Sequence, residues 1–310
     1  MSSSVPDNSD SPAGFAYAVT VYVIWGFLPI FMKALAHVPP AEVIAHRILW
    51  SLPIALAVLI WQRRAADVVT ALRNPRMLAM AAVTAALISV NWLIYVWAVG
   101  NGHTLDAALG YYINPLFSVF LGATLLKERL TPAQIGAIAL AALAVLVLTA
   151  QAGRLPVVAL GLTLSWGFYA YFKKSLPLGP NQGFTLEVLV LLPFALAFLI
   201  WQAANGTSHF ATGSLSDTLL LLGCGPVTAI PLLLYANAAK RLRLSTIGIL
   251  QYIAPTMIFL CAVLLFGEPF GTARMIAFPM IWAALVIYSV SLLREGAARR
   301  RAAGVTRRMQ

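Results

Sequence analysis

A stretch of eleven residues occurs twice in this chain and determines how it folds. It first reads Leu52-Pro-Ile-Ala-Leu-Ala-Val-Leu-Ile-Trp-Gln62, and it returns in the second half as Leu192-Pro-Phe-Ala-Leu-Ala-Phe-Leu-Ile-Trp-Gln202. An apolar composition explains matched Leu and Ala, but it does not explain the matched Pro or the shared Trp-Gln ending. The repeat therefore indicates two copies of one structural unit.

Other residues repeat at nearly the same spacing. The offset that relates Leu52 to Leu192 also pairs Tyr95 with Tyr235, Tyr112 with Tyr252, Pro115 with Pro255, and Glu128 with Glu268. An offset longer by a single position pairs Trp25-Gly26-Phe27 with Trp166-Gly167-Phe168, and Lys33 with Lys174. Such a small difference between the two offsets is what a single insertion in a loop produces.

The amino-acid composition indicates whether water or lipid surrounds these units. Hydrophobic residues make up 61% of the 310 residues, charged residues make up 10%, and the mean hydropathy is +0.85. A soluble domain is roughly half apolar and about a quarter charged. Because so little polar surface cannot solvate a folded monomer in water, the sequence predicts an integral membrane protein.

The apolar runs define the predicted transmembrane helices, each of which needs about 20 residues to cross the hydrocarbon. We expect ten spans, near residues 14–33, 41–62, 76–99, 105–126, 132–150, 154–172, 183–202, 215–239, 245–266 and 272–293. Residues 14–150 then form a first five-helix unit, residues 151–293 form a second, and residues 294–310 form a basic tail. Since five is odd, the second unit is inverted relative to the first, as in many secondary transporters.

The positive charges predict the orientation, because cytoplasmic loops of membrane proteins are rich in Lys and Arg. With the N-terminus inside, 17 of the 21 Lys and Arg residues fall in cytoplasmic segments, and 3 fall on the opposite side. We therefore expect both termini in the cytoplasm.

Several functional classes receive no support. The net charge of +11 is spread between apolar runs and the tail, and a nucleic-acid site needs a contiguous basic surface. The two cysteines lie in separate apolar runs, the four histidines show no ligand spacing, and no HExxH, GxSxG or phosphate-binding loop occurs. We expect no enzyme activity, no cofactor and no metal.

Two proline-containing segments are the first candidates for a cavity wall. A proline inside a helix frees the carbonyl four residues earlier and bends the helix. In lipid, the freed group needs a partner in protein or in a water-filled cavity. Pro115 and Pro255 are therefore predicted kinks, and the segments 110–115 and 250–255 around them are predicted to line a cavity, unless the kinks serve packing alone.

Amide and aromatic side chains extend this prediction. Asn91 and Tyr95 lie one turn apart and share a face of the third span, and Tyr235 matches Tyr95 in the eighth. Such groups suit a flat or amphipathic ligand. For Trp92, Trp97 and Trp282 the favoured interpretation is an interfacial belt or lipid contact.

Four ionisable residues inside spans are candidates for coupling or gating: Glu42, His46, Arg47 and Glu187. Glu42 and His46 are four residues apart, and they form either a proton-coupling site or a dipole-stabilised carboxylate bonded to a neutral His. Arg47 and Glu187 occupy equivalent depths, as a pair or as opposite gates. The alternative is that Arg47 reaches the interface and Glu187 faces water.

Glu128 and Glu268 end the fourth and ninth spans. They are expected at the surface, with reciprocal gating as the alternative.

Four stretches resemble a known family. They are Glu42-Val-Ile-Ala-His-Arg-Ile-Leu-Trp-Ser51, Asn91-Trp92, Ala107-Ala-Leu-Gly-Tyr-Tyr-Ile-Asn-Pro115, and the run from Leu242-Arg-Leu-Ser-Thr246 through Gln251-Tyr-Ile-Ala-Pro-Thr256. Together they resemble the RarD-type EamA transporters of the drug/metabolite transporter superfamily, over residues 14 to 290. Family naming associates this type with chloramphenicol sensitivity.

The resemblance implies a bacterial inner-membrane protein of ten helices around a central cavity. Helices one, three, four, six, eight and nine chiefly surround that cavity in relatives, which makes Glu42 a weaker candidate for direct substrate contact. With the segments named above, the expected cavity residues are Trp25, Asn91, Tyr95, Tyr111, Tyr112, Asn114, Tyr169, Tyr235, Gln251 and Tyr252.

The sequence as a whole predicts a secondary transporter, working as an exporter by alternating access on a small metabolite or drug-like molecule. Its expected partners are the lipid bilayer and that substrate, with proton coupling as an option; the oligomeric state stays open. The alternative is a non-transporting membrane sensor or interaction protein, whose polar span residues would form a closed network without a cavity.

Overall fold

The computed structural model describes residues 11–125, 127, 130–212, 214–239, 241, 242 and 244–308. The regular secondary structure of these residues is helical throughout. The α-helices are α1 (Pro12–Ala34), α2 (Pro40–Trp61), α3 (Ala65–Leu72), α4 (Pro75–Gly100), α5 (Thr104–Leu125), α6 (Pro132–Ala152), α7 (Val157–Ser175), α8 (Pro180–Ala204), α9 (Leu215–Ala239), α10 (Leu244–Leu250), α11 (Ile253–Leu260) and α12 (Thr272–Arg308). A π-helical segment, Cys261–Leu265, continues α11.

Among the described residues, eight helices are long and apolar enough to cross a membrane. They are α1, α2, α4, α5, α6, α8, residues Leu215–Tyr235 of α9 and residues Thr272–Ser291 of α12. Each of them coincides with a predicted span. The other two predicted spans correspond to α7 and to the region of α10, α11 and the π-helical segment.

Several helices begin with a proline. A proline suits the first turn of a helix because its missing N–H would have no intrahelical partner there. Five helices begin in this way, namely α1, α2, α4, α6 and α8. At α6, Thr131 adds a reciprocal capping box with Gln134.

The ninth predicted span, residues 245–266, contains the predicted kink at Pro255 and is not one continuous helix. The structure interrupts it with a turn at Gln251 and Tyr252, between α10 and α11. Pro255 gives the physical reason, because it has no N–H to donate to the carbonyl of Gln251 and its ring crowds that carbonyl. In contrast, α5 stays helical through Pro115, although that residue has the equivalent place in the first unit.

The last helix is longer than the predicted span. α12 contains 37 residues and continues to Arg308, through most of the predicted tail 294–310. A helix of that length measures about 55 Å, whereas the hydrocarbon of a bilayer is about 30 Å thick. The part beyond Ser291 therefore extends past the candidate span.

Glu268 lies in the loop after the π-helical segment and is buried, so its expected surface placement was wrong. Its carboxylate accepts hydrogen bonds from the backbone N–H groups of Thr104 (2.7 Å) and Leu105 (2.9 Å). These groups lie in the first turn of α5, where N–H groups have no intrahelical acceptor and a negative charge is favoured. Glu128, its repeat partner, lies outside the described residues.

Helix contacts between the first half of the bundle and the second half occur in pairs that the sequence repeat relates to each other. By the sequence repeat, α1, α2, α4, α5 and α6 correspond to α7, α8, α9, α10–α11 and α12. Equivalent helices pack together in the pairs α2–α8, α5–α11 and α6–α12. The other main contacts occur in exchanged pairs, namely α1–α9 with α4–α7, α1–α11 with α5–α7, and α2–α9 with α4–α8. Each of these contacts therefore recurs between the helices that the sequence repeat relates.

Two glycines that the sequence repeat relates, Gly26 and Gly167, have equivalent packing contacts in the two halves. A Cβ atom on Gly26 of α1 would lie 2.5 Å from Cβ of Met257 in α11. A Cβ atom on Gly167 of α7 would meet Cδ1 of Phe117 in α5 at a distance too short for ordinary contact. Since Met257 and Phe117 are themselves related by the repeat offset, each half packs a large side chain against the repeated glycine of the other half.

Gly225 lets α9 lie against the backbone of α2. A Cβ atom there would clash with the backbone oxygen of Trp50, which cannot move away as a flexible side chain could. We predict that Gly225→Ala lowers the stability of the protein by roughly 1–3 kcal/mol through overpacking. Thermal unfolding in detergent, followed by circular dichroism, measures this change.

Gly136 in α6 provides the matched control, because a Cβ atom there meets nothing within 4 Å. Gly136→Ala should raise stability by about 0.5–1 kcal/mol, since alanine is the better helix former. An equal response of the two variants would contradict the helix contact described at Gly225.

Candidate functional site

A cavity of about 140 Å³ lies in the centre of the bundle, and both halves line it. The first half contributes Tyr22, Trp25, Leu28, Arg47, Ile88, Asn91, Trp92, Tyr95, Tyr111 and Asn114. The second half contributes Trp166, Tyr169, Phe184, Glu187, Thr228, Leu232, Gln251, Ala254, Pro255 and Ile258. Seven of the ten expected cavity residues belong to this lining, and the broken segment around Gln251 is part of the wall.

Eight of the twenty residues that line the cavity are aromatic. Trp25 packs edge-on against Tyr22, with ring centroids 5.8 Å apart. On the opposite half, Trp166 packs against Tyr169 at 5.7 Å. Trp25 and Trp166 are repeat partners, so each half supplies one equivalent tryptophan to the cavity.

Asn91 is fully buried and holds α4 against α7. Its Nδ2 donates to the carbonyl of Leu162 (3.1 Å) and to Oγ of Ser165 (2.9 Å). Its Oδ1 accepts a hydrogen bond from the Tyr111 hydroxyl at 3.3 Å. Both Asn91 and Tyr111 therefore line the cavity with their polar groups already engaged.

Two other lining residues present polar atoms that no described residue bonds. These atoms are the hydroxyl of Tyr95 and Oδ1 of Asn114. Most buried polar groups in proteins do find a partner. Tyr95 and Asn114 therefore keep hydrogen-bonding capacity that no described residue uses.

Arg47 contributes the positive charge of the cavity. Its side chain is 4% exposed, its Nε donates to Oγ1 of Thr228 (3.0 Å), and its guanidinium lies 4.5 Å from the ring centroid of Trp92. Its Nη1 has no hydrogen-bond partner among the described residues. The expectation that Arg47 could reach the interface does not fit this buried position.

Glu187 contributes the negative charge. It is also buried, and its carboxylate accepts hydrogen bonds from Nζ of Lys173 (2.6 Å) and from the hydroxyl of Tyr169 (3.3 Å). Arg47 and Glu187 thus line one cavity, as their equivalent depth suggested, but each of them is bonded to other residues.

Glu42 and His46 have different hydrogen-bond partners, and neither residue belongs to the cavity lining. Glu42 is fully buried and accepts hydrogen bonds from the backbone N–H of His209 (2.7 Å) and from Nε2 of Gln202 (3.2 Å). It also pairs with Nδ1 of the His209 ring at 2.7 Å. His46 instead accepts a hydrogen bond from the indole N–H of Trp50 at 3.1 Å. This bond requires an unprotonated Nδ1 on His46.

Three predicted tyrosines lie behind the cavity wall. The Tyr112 hydroxyl is 2.7 Å from Oγ1 of Thr256, and its ring packs edge-on against Phe278. Tyr235 packs against Trp25 at 5.8 Å, and Tyr252 packs into the core cluster that includes Phe278. These residues support the wall from outside.

Sequence reasoning missed several residues of the site, among them Trp92, Trp166, Lys173 and Thr228. The repeat already matched Trp166 to Trp25, so a signal for it was present. Trp92 was assigned to the membrane interface, whereas it lies beneath the Arg47 guanidinium. No pattern in the sequence pointed to Thr228 or Lys173 as partners of the two buried charges.

A second and larger cavity, of about 1120 Å³, lies toward the predicted extracytoplasmic ends of the helices. Asp106 and Arg274 border it and form an ion pair at 2.8 Å, and His103 lies 3.1 Å from the same carboxylate. These groups already satisfy one another, whereas Arg47, Tyr95 and Asn114 of the central cavity have polar atoms without a described partner.

Comparison with known proteins assigns the chain to a family. Residues 12–150 and residues 155–290 each match the EamA-like transporter family. The chain belongs to the EamA-like transporter family. It is therefore a multi-pass membrane protein of the drug/metabolite transporter superfamily, as the sequence motifs predicted.

Individual relatives agree with this assignment. A Vibrio cholerae serotype O1 protein described as "Uncharacterized transporter" is 45% identical over 298 residues, covering 96% of this chain and 98% of that protein. "Protein RarD" of Salmonella typhi is 42% identical over 282 residues, covering 91% of this chain and 96% of that protein. Such relatives make the chain a RarD-type member of the family.

A solved structure described as "Crystal structure of protein" shares the fold. Its TM-score is 0.60, its sequence is 19% identical, and the match covers 92% of this chain and 98% of that one. At this identity the likeness concerns the fold alone.

We predict that the carboxylate of Glu42 holds the loop between α8 and α9 in place. Glu42→Ala removes the acceptor of the His209 backbone N–H and the partner of its ring, and so leaves buried donors without a bond. Each such loss costs about 1–3 kcal/mol. Hydrogen exchange of residues 205–212 should accelerate at least tenfold in the variant.

Asp217→Ala serves as the control, because it removes a carboxylate from a more exposed pair with His37 (3.0 Å). Pairs of that kind contribute about 0–1 kcal/mol. If exchange in residues 205–212 is unchanged in Glu42→Ala, Glu42 does not hold the loop.

Proposed function

We propose that this protein is a secondary transporter that exports a small metabolite or drug-like molecule by alternating access. The observation that carries the proposal is the central cavity, which residues of both halves line with aromatic, amide and charged side chains. Small-molecule sites have this composition, with an apolar wall and a few polar groups that fix orientation. Export as the direction rests on the family resemblance.

The proposed architecture has ten spans in two inverted units, residues 14–150 and 151–293. Three findings support it: the exchanged helix contacts, the repeated packing of Gly26 and Gly167, and the two family matches at 12–150 and 155–290. Two inverted halves can exchange conformations, which opens the same central site to either side of the membrane in turn.

The alternative function, a membrane sensor or interaction protein, predicted a closed polar network without a cavity. The cavity favours the carrier, as do the polar atoms of Arg47, Tyr95 and Asn114 that no described residue bonds. A structural network would instead gain stability by satisfying those atoms.

For proton coupling, we propose Glu42 with His209 in place of Glu42 with His46. A carboxylate and an imidazole 2.7 Å apart at the predicted extracytoplasmic end of the bundle can exchange a proton with that side. His46 would influence coupling through its neighbour Trp50.

We further propose a bacterial inner membrane as the location, with both termini in the cytoplasm. The excess of Lys and Arg in alternate loops supports this orientation. A reporter fused after residue 310 that is active only in the cytoplasm tests it.

Counterflow in proteoliposomes tests transport itself, with a labelled panel of amino acids, small metabolites and chloramphenicol. We expect saturable exchange of at least one compound, and a loss of roughly tenfold or more in Trp25→Ala. Trp25 lines the cavity, and a buried tryptophan contact of about 1.4 kcal/mol or more corresponds to that factor.

Trp61→Ala is the matched control, because Trp61 is 83% exposed at the end of α2. It should exchange the same compound at the rate of the unaltered protein. Absence of exchange for every compound with folded protein, or equal loss in both variants, would count against a carrier with its site in the central cavity.

A further inference from the structure

We propose that the central cavity binds a substrate that carries one carboxylate, which pairs with Arg47, and a small ring or apolar body, which packs on the tryptophans and tyrosines. This inference rests on the proposed transport function and adds the chemical class of the substrate. It follows from the charge, the hydrogen bonding and the size of the cavity.

The first step concerns the charge of Arg47. An arginine side chain keeps its positive charge in proteins, and burial of an uncompensated charge is costly. The groups that contact Arg47 are the neutral Thr228 hydroxyl and the Trp92 ring. Among the described residues, Arg47 has no carboxylate within ion-pair distance, so its charge is available to a ligand.

Glu187 does not fulfil that role. It is the other charged residue on the cavity wall, and Lys173 neutralises it at 2.6 Å. The Tyr169 hydroxyl occupies its second oxygen. The lining and its immediate partners therefore carry one net positive charge, which a monoanion balances.

The second step concerns the orientation of the Arg47 guanidinium. The Thr228 hydroxyl fixes Nε of Arg47, and the Trp92 ring fixes the face of the guanidinium. Nη1 keeps its N–H donors free on a residue that lines the cavity. A carboxylate is the anionic group whose planar shape best matches a guanidinium held in this way.

The third step concerns the rest of the ligand. A cavity of about 140 Å³ compares with one of about 150 Å³ that accommodates benzene. Trp25 and Trp166 provide flat surfaces for a ring, and Asn114 and Tyr95 are further polar residues of the lining. An aromatic monocarboxylate with a single ring, such as benzoate, has the matching charge and shape.

Calorimetric titration of the purified protein in detergent tests this inference with three probes of one shape. Benzoate carries the negative charge, benzamide is neutral, and benzylamine is positive. We expect benzoate to bind at least tenfold more tightly than either of the others. This comparison uses the unaltered protein and therefore does not depend on the folding of a variant.

Two variants then locate the charge that is responsible. Arg47→Gln should reduce the affinity for benzoate to that for benzamide, and benzoate should no longer raise its melting temperature. Arg241→Gln is the matched control, since Arg241 is an exposed arginine that also lies over an aromatic ring, Tyr17, at 5.1 Å. It loses the same formal charge and should keep the preference for benzoate.

The inference is overturned if benzoate binds no better than benzamide, or if its preference survives in Arg47→Gln. The inference is also overturned if both variants lose the preference for benzoate equally, because the overall charge of the protein, and not Arg47, would then cause that preference. These failures differ from a failure of the transport function. A neutral or cationic compound that exchanges in proteoliposomes and depends on Trp25 would leave the carrier intact and exclude the anionic substrate.

Discussion

The hydrocarbon interior of a bilayer offers no hydrogen bonds, and this constraint governs the polar side chains that the bundle buries. Most of the buried polar groups meet it with internal partners that tie distant helices together. Asn91 bonds across to α7, Glu42 bonds to the loop before α9, and Glu268 caps α5. Eight buried polar atoms of the described residues have no hydrogen-bond partner, and three of them belong to residues that line one cavity, Arg47, Tyr95 and Asn114.

The duplicated sequence explains how such a cavity arises between two halves. Equivalent positions contribute equivalent shapes, as Trp25 and Trp166 show, and the helix contacts occur in exchanged pairs. The equivalence does not extend to charge. Arg47 and Glu187 occupy matched positions with opposite signs, and of these two only Glu187 has an ionic partner among the described residues, Lys173. Sequence-equivalent positions thus carry opposite charges in one cavity, and the pairing of Glu187 with Lys173 leaves the charge of Arg47 without a described counter-ion.

The helices and several cavity residues were predictable from the sequence, because their signals can be read directly along the chain. Apolar run length gave the helices, and the repeat with its family motifs gave the lining residues Trp25, Asn91 and Tyr111. Partners were not predictable, because they depend on how helices rotate against each other over long separations. Glu42 pairs with His209, 167 residues away, although His46 is one turn away on its own helix. Trp92 follows Asn91 at about 100° around the helix, and the cavity is broad enough for both.

The central claim is that one cavity opens in turn to both sides of the membrane. Ala254 lines it and differs little in size from cysteine, so Ala254→Cys, in protein with Cys224 and Cys261 replaced by alanine, reports its accessibility. The measurement is labelling by a membrane-impermeant maleimide from each side of oriented vesicles, with the buried Ala141→Cys of α6 as the control. The account predicts that position 254 is labelled from both sides and that position 141 is labelled from neither. Labelling of position 254 from one side alone, or from neither, would contradict it.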